Sequence, residues 1–157
     1  MPKANPSPLW RWHADILSAE QNQLLPLLKS FRKDFILVGG TAIALYLGHR
    51  RSIDFDLFCC RKELNKLLIH SRLKNSKYKV GRIIYEDAIQ LHLFINQVKL
   101  TFFNYPHLIE GKAPFQQFAL LPNLIDLAAM KALALGGRAK WKDYVDLYYL
   151  LTDHFTL

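Results

Sequence analysis

Disulfide chemistry has little to work with in this chain, because its two cysteines, Cys59 and Cys60, are neighbours in sequence. They cannot frame a stapled domain, and neither has thiols or histidines at zinc-finger spacing. The 6 histidines are scattered, with no HxH or HxxxH pair, which argues against a histidine metal centre. No apolar run approaches the roughly 20 residues of a membrane-spanning helix. The opening MPKANPSPLW carries no signal-peptide core. A cytoplasmic location with no membrane contact is the expectation. Internal repeats and low-complexity linkers are missing as well. Acidic residues are in the minority, 13 against 21 Lys and Arg, for a net charge of +8. That excess favours a polyanionic partner such as nucleic acid.

What is present is a foldable amount of apolar sequence, 51% of 157 residues. Residues 1–9, rich in proline, are expected as a flexible leader and 10–157 as one domain. Trp10 to Ser30 reads as helix, divided or kinked at Pro26. Phe35 to Val38 reads as a buried strand, Thr41 to Leu47 as an apolar helix, and Ile53 to Phe58 as a strand. Arg61 to Leu73 suggests an amphipathic helix with Leu64, Leu67 and Leu68 inside. Three strands follow, Lys77–Asp87, Ile89–Ile95 and Val98–Tyr105, the last two joined by a tight turn at Asn96–Gln97. A loop to about Leu121 leads to a helix from Pro122–Asn123 to Leu135, ended by Gly136–Gly137. A final helix spans Trp141 to about Thr152. This order predicts an α+β (α/β) domain, with helices flanking a mixed β-sheet and a helical pair at the C-terminal end.

The segment FILVGGTAIALYLGHRRSIDFDLF, Phe35 to Phe58, carries the chemistry. Gly39 and Gly40 between strand and helix let a ligand approach the backbone, and the helix start offers free N–H groups to a phosphate. Thr41 adds a hydroxyl there. Strict alternation puts Asp54 and Asp56 on one face of the next strand and Ile53, Phe55 and Leu57 on the other. Their α-carbons are then roughly 6.5 to 7 Å apart. Two carboxylates side by side resist desolvation unless a cation neutralises them. Magnesium on a phosphate substrate satisfies that need, and a salt bridge to Arg50 or Arg51 is the structural alternative. Arg51 is a candidate phosphate contact.

In the C-terminal helices Lys131 shares a stripe with Leu124, Leu127, Ala128 and Leu135, so it must find an anion. Asp143 and Asp146, three apart, share a helix face. Arg138, Lys140 and Lys142 form a basic run between the two helices. Tyr144, Tyr148 and Leu151 follow a helical stripe and read as core. Of Phe102 and Phe103, one is expected in the core and the other near the groove.

A paired glycine opening a helix, followed by a DxD strand, resembles the DNA-polymerase-beta-type nucleotidyltransferase superfamily. NLIDLAAMKALALGGRAKWKDYVDLYYLL, Asn123 to Leu151, resembles the second block of the AbiEii/AbiGii-type toxin nucleotidyltransferases, and VKLTFFNYP resembles the strand between the blocks. The resemblance implies a minimal nucleotidyltransferase that moves an NMP from an NTP to an acceptor. An RNA such as tRNA is the expected acceptor, in the toxin component of a type IV-like toxin–antitoxin system with an antitoxin protein as partner. It implies that Asp54 and Asp56 hold Mg2+, and that Gly39, Gly40, Thr41 and Arg51 contact the nucleotide. It also implies that Lys131 neutralises phosphate, and that Asp146 or Asp143 activates the acceptor hydroxyl. One departure stands out: the third acid usual in this fold aligns with Thr101, which is neither a base nor a good magnesium ligand. Either Asp143 or Asp146 takes the role, one metal is held by two acids, or catalysis is impaired. The remaining alternatives are a non-catalytic nucleotide- or RNA-binding module, and a nucleotidyltransferase acting on a protein or small molecule.

Overall fold

The structure, a computed structural model, describes residues 11–154. The expected leader, together with Trp10, lies outside the described residues. The first expected helix is split: a 3-10 turn at Ala14–Ile16 precedes α1, Ala19–Phe31. The reason is local, since Ser18 and Gln21 form a reciprocal capping box that fixes the start of α1, which then runs through Pro26.

After α1 come β1 (Ile36–Val38), α2 (Gly39–Leu47), β2 (Phe55–Cys59), α3 (Lys66–Lys74), β3 (Val80–Glu86), β4 (Gln90–Ile95) and β5 (Val98–Asn104). Strands β1 to β5 form one mixed sheet in the order β1-β2-β5-β4-β3, with β2 parallel to β5 and the other pairs antiparallel. The turn expected between β4 and β5 is present, with φ of 47° at Asn96 and 65° at Gln97, the sign that suits a two-residue hairpin. The stretch read as a loop holds a short hairpin, β6 (Ala113–Phe115) and β7 (Ala119–Leu121). Three-residue strands carrying Pro114 leave too little alternation to detect. Finally α4 (Leu124–Gly137) and α5 (Trp141–His154) pack on each other and on α2.

Alternation along the central strands separates two faces. Phe55, Leu57, Leu91, Leu93, Leu100 and Phe102 are buried in the core, while the residues between them turn to the opposite face, where the groove lies. Phe102 is thus the core residue of its pair, and Phe103 lines the groove.

Four packing expectations are corrected. Ile53 precedes β2 and is 61% exposed instead of buried with Phe55. Helix α3 starts late, after the Asn65 cap, so its inner face is Ile69 and Leu73, and Leu67 is exposed. Tyr144 and Tyr148 are exposed, because α5 buries Asp143, Asp146 and Leu150. Gly136 and Gly137 do not end α4 but form its last turn, and Arg138 is the C-cap.

Candidate active site

The turn from β1 into α2 brings backbone against a carboxylate. Gly39 has φ of 73°, and a Cβ there would sit 2.2 Å from Asp56 Oδ2. The left-handed backbone favours glycine here, and any side chain would have to push the Asp56 carboxylate aside. Gly40 meets a different neighbour, since a Cβ would lie 2.3 Å from Arg50 Nη2. The backbone before β2 is pinned from two sides. Thr41 donates its hydroxyl to the Asp54 carbonyl, and the Gln21 amide reaches the same oxygen at 3.5 Å. The expected use of Thr41 is therefore corrected: it is 1% exposed, also bonds Ser52 Oγ at 2.8 Å, and holds the acidic strand instead of facing the groove.

Asp54 and Asp56 both line the groove, as does Gly40. Burial, and then the Asp54 carboxylate beside it, push the Asp56 carboxyl up from its ordinary value. Lys99, Lys131 and Arg138 pull in the other direction. The acidic pair thus faces three cations from β5, α4 and the loop after α4.

The opposite wall is an ion-pair hub centred on Asp146. This carboxylate is completely buried and receives His49 Nε2 at 2.7 Å, Arg50 Nε at 2.6 Å, Arg50 Nη2 at 2.7 Å and Lys131 Nζ at 3.0 Å. Burial alone would raise its carboxyl pKa, but the hydrogen bonds from Arg50 and His49 outweigh that. With the charge of Lys131 they hold the carboxyl far below the usual range. Asp146 does not line the groove. Its acceptor capacity is spent on these four nitrogens, so in this arrangement it serves as the centre of the hub instead of reaching toward an acceptor. Asp143 does line the groove; its Oδ1 binds Lys131 at 2.8 Å and its Oδ2 has Arg138 Nε at 3.6 Å. Lys131 has found its anion within the protein, and two of the three ammonium donors are used. The third is left for the groove that Lys131 also lines.

Arg51 is exposed and neither lines the groove nor pairs with Asp54 among the described contacts; its neighbour Arg50 is the one turned inward. The whole groove is a cavity of about 800 Å³. Residues the sequence did not single out also line it, Lys99, Gln90, His92 and Trp141, and the basic run expected between the helices, Arg138, Lys140 and Lys142, lines it too. Strand alternation from Thr101 could have pointed to Lys99. His92 carried no signal, because its place follows from pairing between β4 and β5. Among the described residues no group of three or more His, Cys, Asp and Glu is gathered for a metal ion. No helix among them is long and apolar enough to cross a membrane.

A family model described as "Nucleotidyl transferase AbiEii toxin, Type IV TA system" matches residues 27–109, from late α1 past β5. The glycine turn and both groove aspartates fall inside that match, while Lys131, Asp143 and Asp146 lie beyond it. An uncharacterised protein of Aquifex aeolicus (strain VF5), aq_aa25, is 32% identical, with 88% of this chain and 68% of the relative covered. Among solved structures, JHP933 from Helicobacter pylori superposes with a TM-score of 0.62 at 22% identity, covering 88% of this chain and 68% of that one. The antibiotic-resistance factor ANT(2″)-Ia superposes with a TM-score of 0.58 at 12% identity, covering 83% and 80%. At such identities the two structures speak for the fold, the mixed sheet with flanking helices expected of a nucleotidyltransferase.

Proposed function

The chain belongs to the AbiEii family of nucleotidyltransferases, and from that premise we propose that it transfers a nucleoside monophosphate from an NTP to an RNA acceptor, with pyrophosphate released. One observation carries the reading: a paired-glycine turn and two groove carboxylates share a single cavity with Lys99, Lys131 and Arg138. The acids suit a cation, and the cations suit a polyphosphate.

Asp54 and Asp56 are the residues that would hold Mg2+. Magnesium is commonly bound by one or two carboxylates, with water and substrate phosphates completing its shell. A two-acid site fits that habit, and the raised Asp56 carboxyl is what an anion awaiting a counter-charge shows. When bound, the ion supplies charge neutralisation on the phosphate oxygens. The backbone N–H groups at the start of α2, around Gly39 and Gly40, would receive a phosphate oxygen. Lys131 would direct its remaining donor at the triphosphate, and Asp143 would hold Lys131 and Arg138 in place.

An RNA acceptor, such as a tRNA end, is favoured by the rim. Arg138, Lys140 and Lys142 stand beside Trp141, which is 79% exposed. Cations with an exposed ring form the type of surface on which single-stranded bases stack. The same cations would repel a polycationic small molecule. The family's type IV toxin–antitoxin context supports a role as toxin with an antitoxin protein as partner.

The test incubates purified protein with magnesium, each α-labelled NTP and a tRNA pool, beside Asp56→Asn. Label in RNA from wild type alone supports the proposal. Label in protein, or no label while NTP still binds by calorimetry, refutes the RNA-transferase reading.

A further inference from the structure

With no acid at Thr101, the one carboxylate on the opposite groove wall among the described residues is Asp143, whose Oδ1 is tied to Lys131, and the register of the sheet offers a different proton acceptor beside the acidic pair. Asp56 pairs with Thr101 across β2 and β5, and Thr101 pairs with His92 across β5 and β4. The three form a row across neighbouring strands on the groove face, and all three line the cavity. With strands about 4.8 Å apart, the His92 backbone stands roughly 10 Å from that of Asp56. The short Thr101 side chain lies between them. A hydroxyl attacking a phosphate bound by the groove cations beside Asp56 would enter over Thr101, between the carboxylate and the imidazole.

The ring is also oriented. Gln90 Nε2 donates to Asp87 Oδ2 at 3.2 Å, which turns Gln90 Oε1 toward His92 Nε2 at 2.9 Å. An amide oxygen accepts only, so Nε2 carries the hydrogen and the Nδ1 lone pair is free. Asp87 is itself fixed by the amides of Ile89 and Gln90, at 2.8 and 2.9 Å, and by the Tyr85 hydroxyl at 2.9 Å. We propose that His92, oriented by the Asp87–Gln90 relay, is the catalytic base that replaces the acid absent at Thr101.

In the step, the acceptor O–H bond breaks and its proton passes to His92 Nδ1. The oxygen forms a bond to the α-phosphorus of the NTP. The bond from that phosphorus to the bridging oxygen breaks, and pyrophosphate leaves with the electron pair. The imidazolium then returns its proton to water. This inference rests on the NMP-transfer reading above.

The charged and titratable groups facing the ring are Tyr85 from β3, Lys99 from β5 and Asp87 from the turn before β4. Burial first and Lys99 second hold the imidazole below its ordinary value, opposed by Asp87. The ring is therefore neutral and able to accept at neutral pH.

The experiment measures transfer rate from pH 5 to 9 for wild type, His92→Gln, His92→Ala with and without imidazole, Gln90→Met and Asp143→Asn. NTP binding and thermal unfolding are followed in parallel. The wild-type rate is expected to rise along an acid limb with its midpoint below about 6.5. His92→Gln should lose about 10²–10⁴-fold in turnover, with KM for NTP kept within about two-fold, and should lose that limb. Imidazole should restore part of the rate to His92→Ala. Gln90→Met should lower turnover about 10-fold and move the midpoint, the mark of a positioning residue. A wild-type rate and limb in His92→Gln overturns the proposal while NMP transfer stands. So does a limb that survives in His92→Gln but vanishes in Asp143→Asn, which would make Asp143 the base. A wild type with no transfer to any acceptor removes the underlying reading and this one with it.

Discussion

Replacing Asp146 by asparagine removes one charge and almost no volume, and so isolates what the hub contributes. In the wild type four nitrogens stand within 3.0 Å of a carboxylate that has no solvent exposure. The neutral amide leaves Arg50 and Lys131, which are 17% and 7% exposed at the side chain, without that counter-charge. Breaking a buried pair from one side costs about 3–5 kcal/mol. For a chain of this size that corresponds to a fall in Tm of about 6–20 °C. The pH dependence gives a second handle. A carboxyl whose pKa is depressed on folding contributes stability that is fully present above its unfolded value of about 3.9. That stability is lost as pH falls through the folded value. The Tm gap between wild type and Asp146→Asn should therefore narrow as pH falls below about 4. Thermal unfolding followed by circular dichroism at each pH makes the measurement. An asparagine variant with wild-type Tm and no transferase activity would refute the structural assignment and return Asp146 to the chemistry.

Three further outcomes follow from the same geometry. Asp56→Asn should lower transfer by about 10³-fold, the several kcal/mol of metal-borne charge stabilisation, with Tm unchanged or higher by thermal melt. The sign follows from a carboxyl whose pKa is raised on folding, because its ionised form opposes the fold at neutral pH. Gly39→Ala should lose about 1–2 kcal/mol for the left-handed backbone alone, and NTP binding by calorimetry should fall as Asp56 is displaced by the new methyl. Trp141→Ala should weaken RNA binding by about 1–3 kcal/mol in a gel-shift titration, with NTP binding and Tm unchanged, since the ring is 79% exposed.

The glycine turn and the acidic pair were legible because both are backbone-period signals: two glycines where a strand must turn, and two acids at the strand period. Lys131 was legible as a cation on an apolar stripe, although the anion it meets belongs to the protein. What periodicity could not show is that α5 faces inward with aspartates. A helix with tyrosines at helical spacing looks buried along them, yet Asp143 and Asp146 take the inner face because His49, Arg50 and Lys131 wait there. Long-range charge partners leave no mark on local spacing. The same limit hid His92, whose neighbour Thr101 is set by strand order. Leu67 and Ile53 were misread for a simpler reason: each lies at an element boundary, where a shift of one or two residues reverses inside and outside.

The last turn of α4 ends on two glycines with nothing within 4 Å of where their side chains would be. Each forfeits about 0.5–1 kcal/mol of helix stability relative to alanine, so this turn is the least expensive part of the helix to unwind. Alanine at either position would meet no neighbour, so the double variant should gain about 1–2 kcal/mol of helix stability without touching the Lys131–Asp143 pair. The wall that carries the cations is thus built on a helix end that its sequence leaves below its attainable stability.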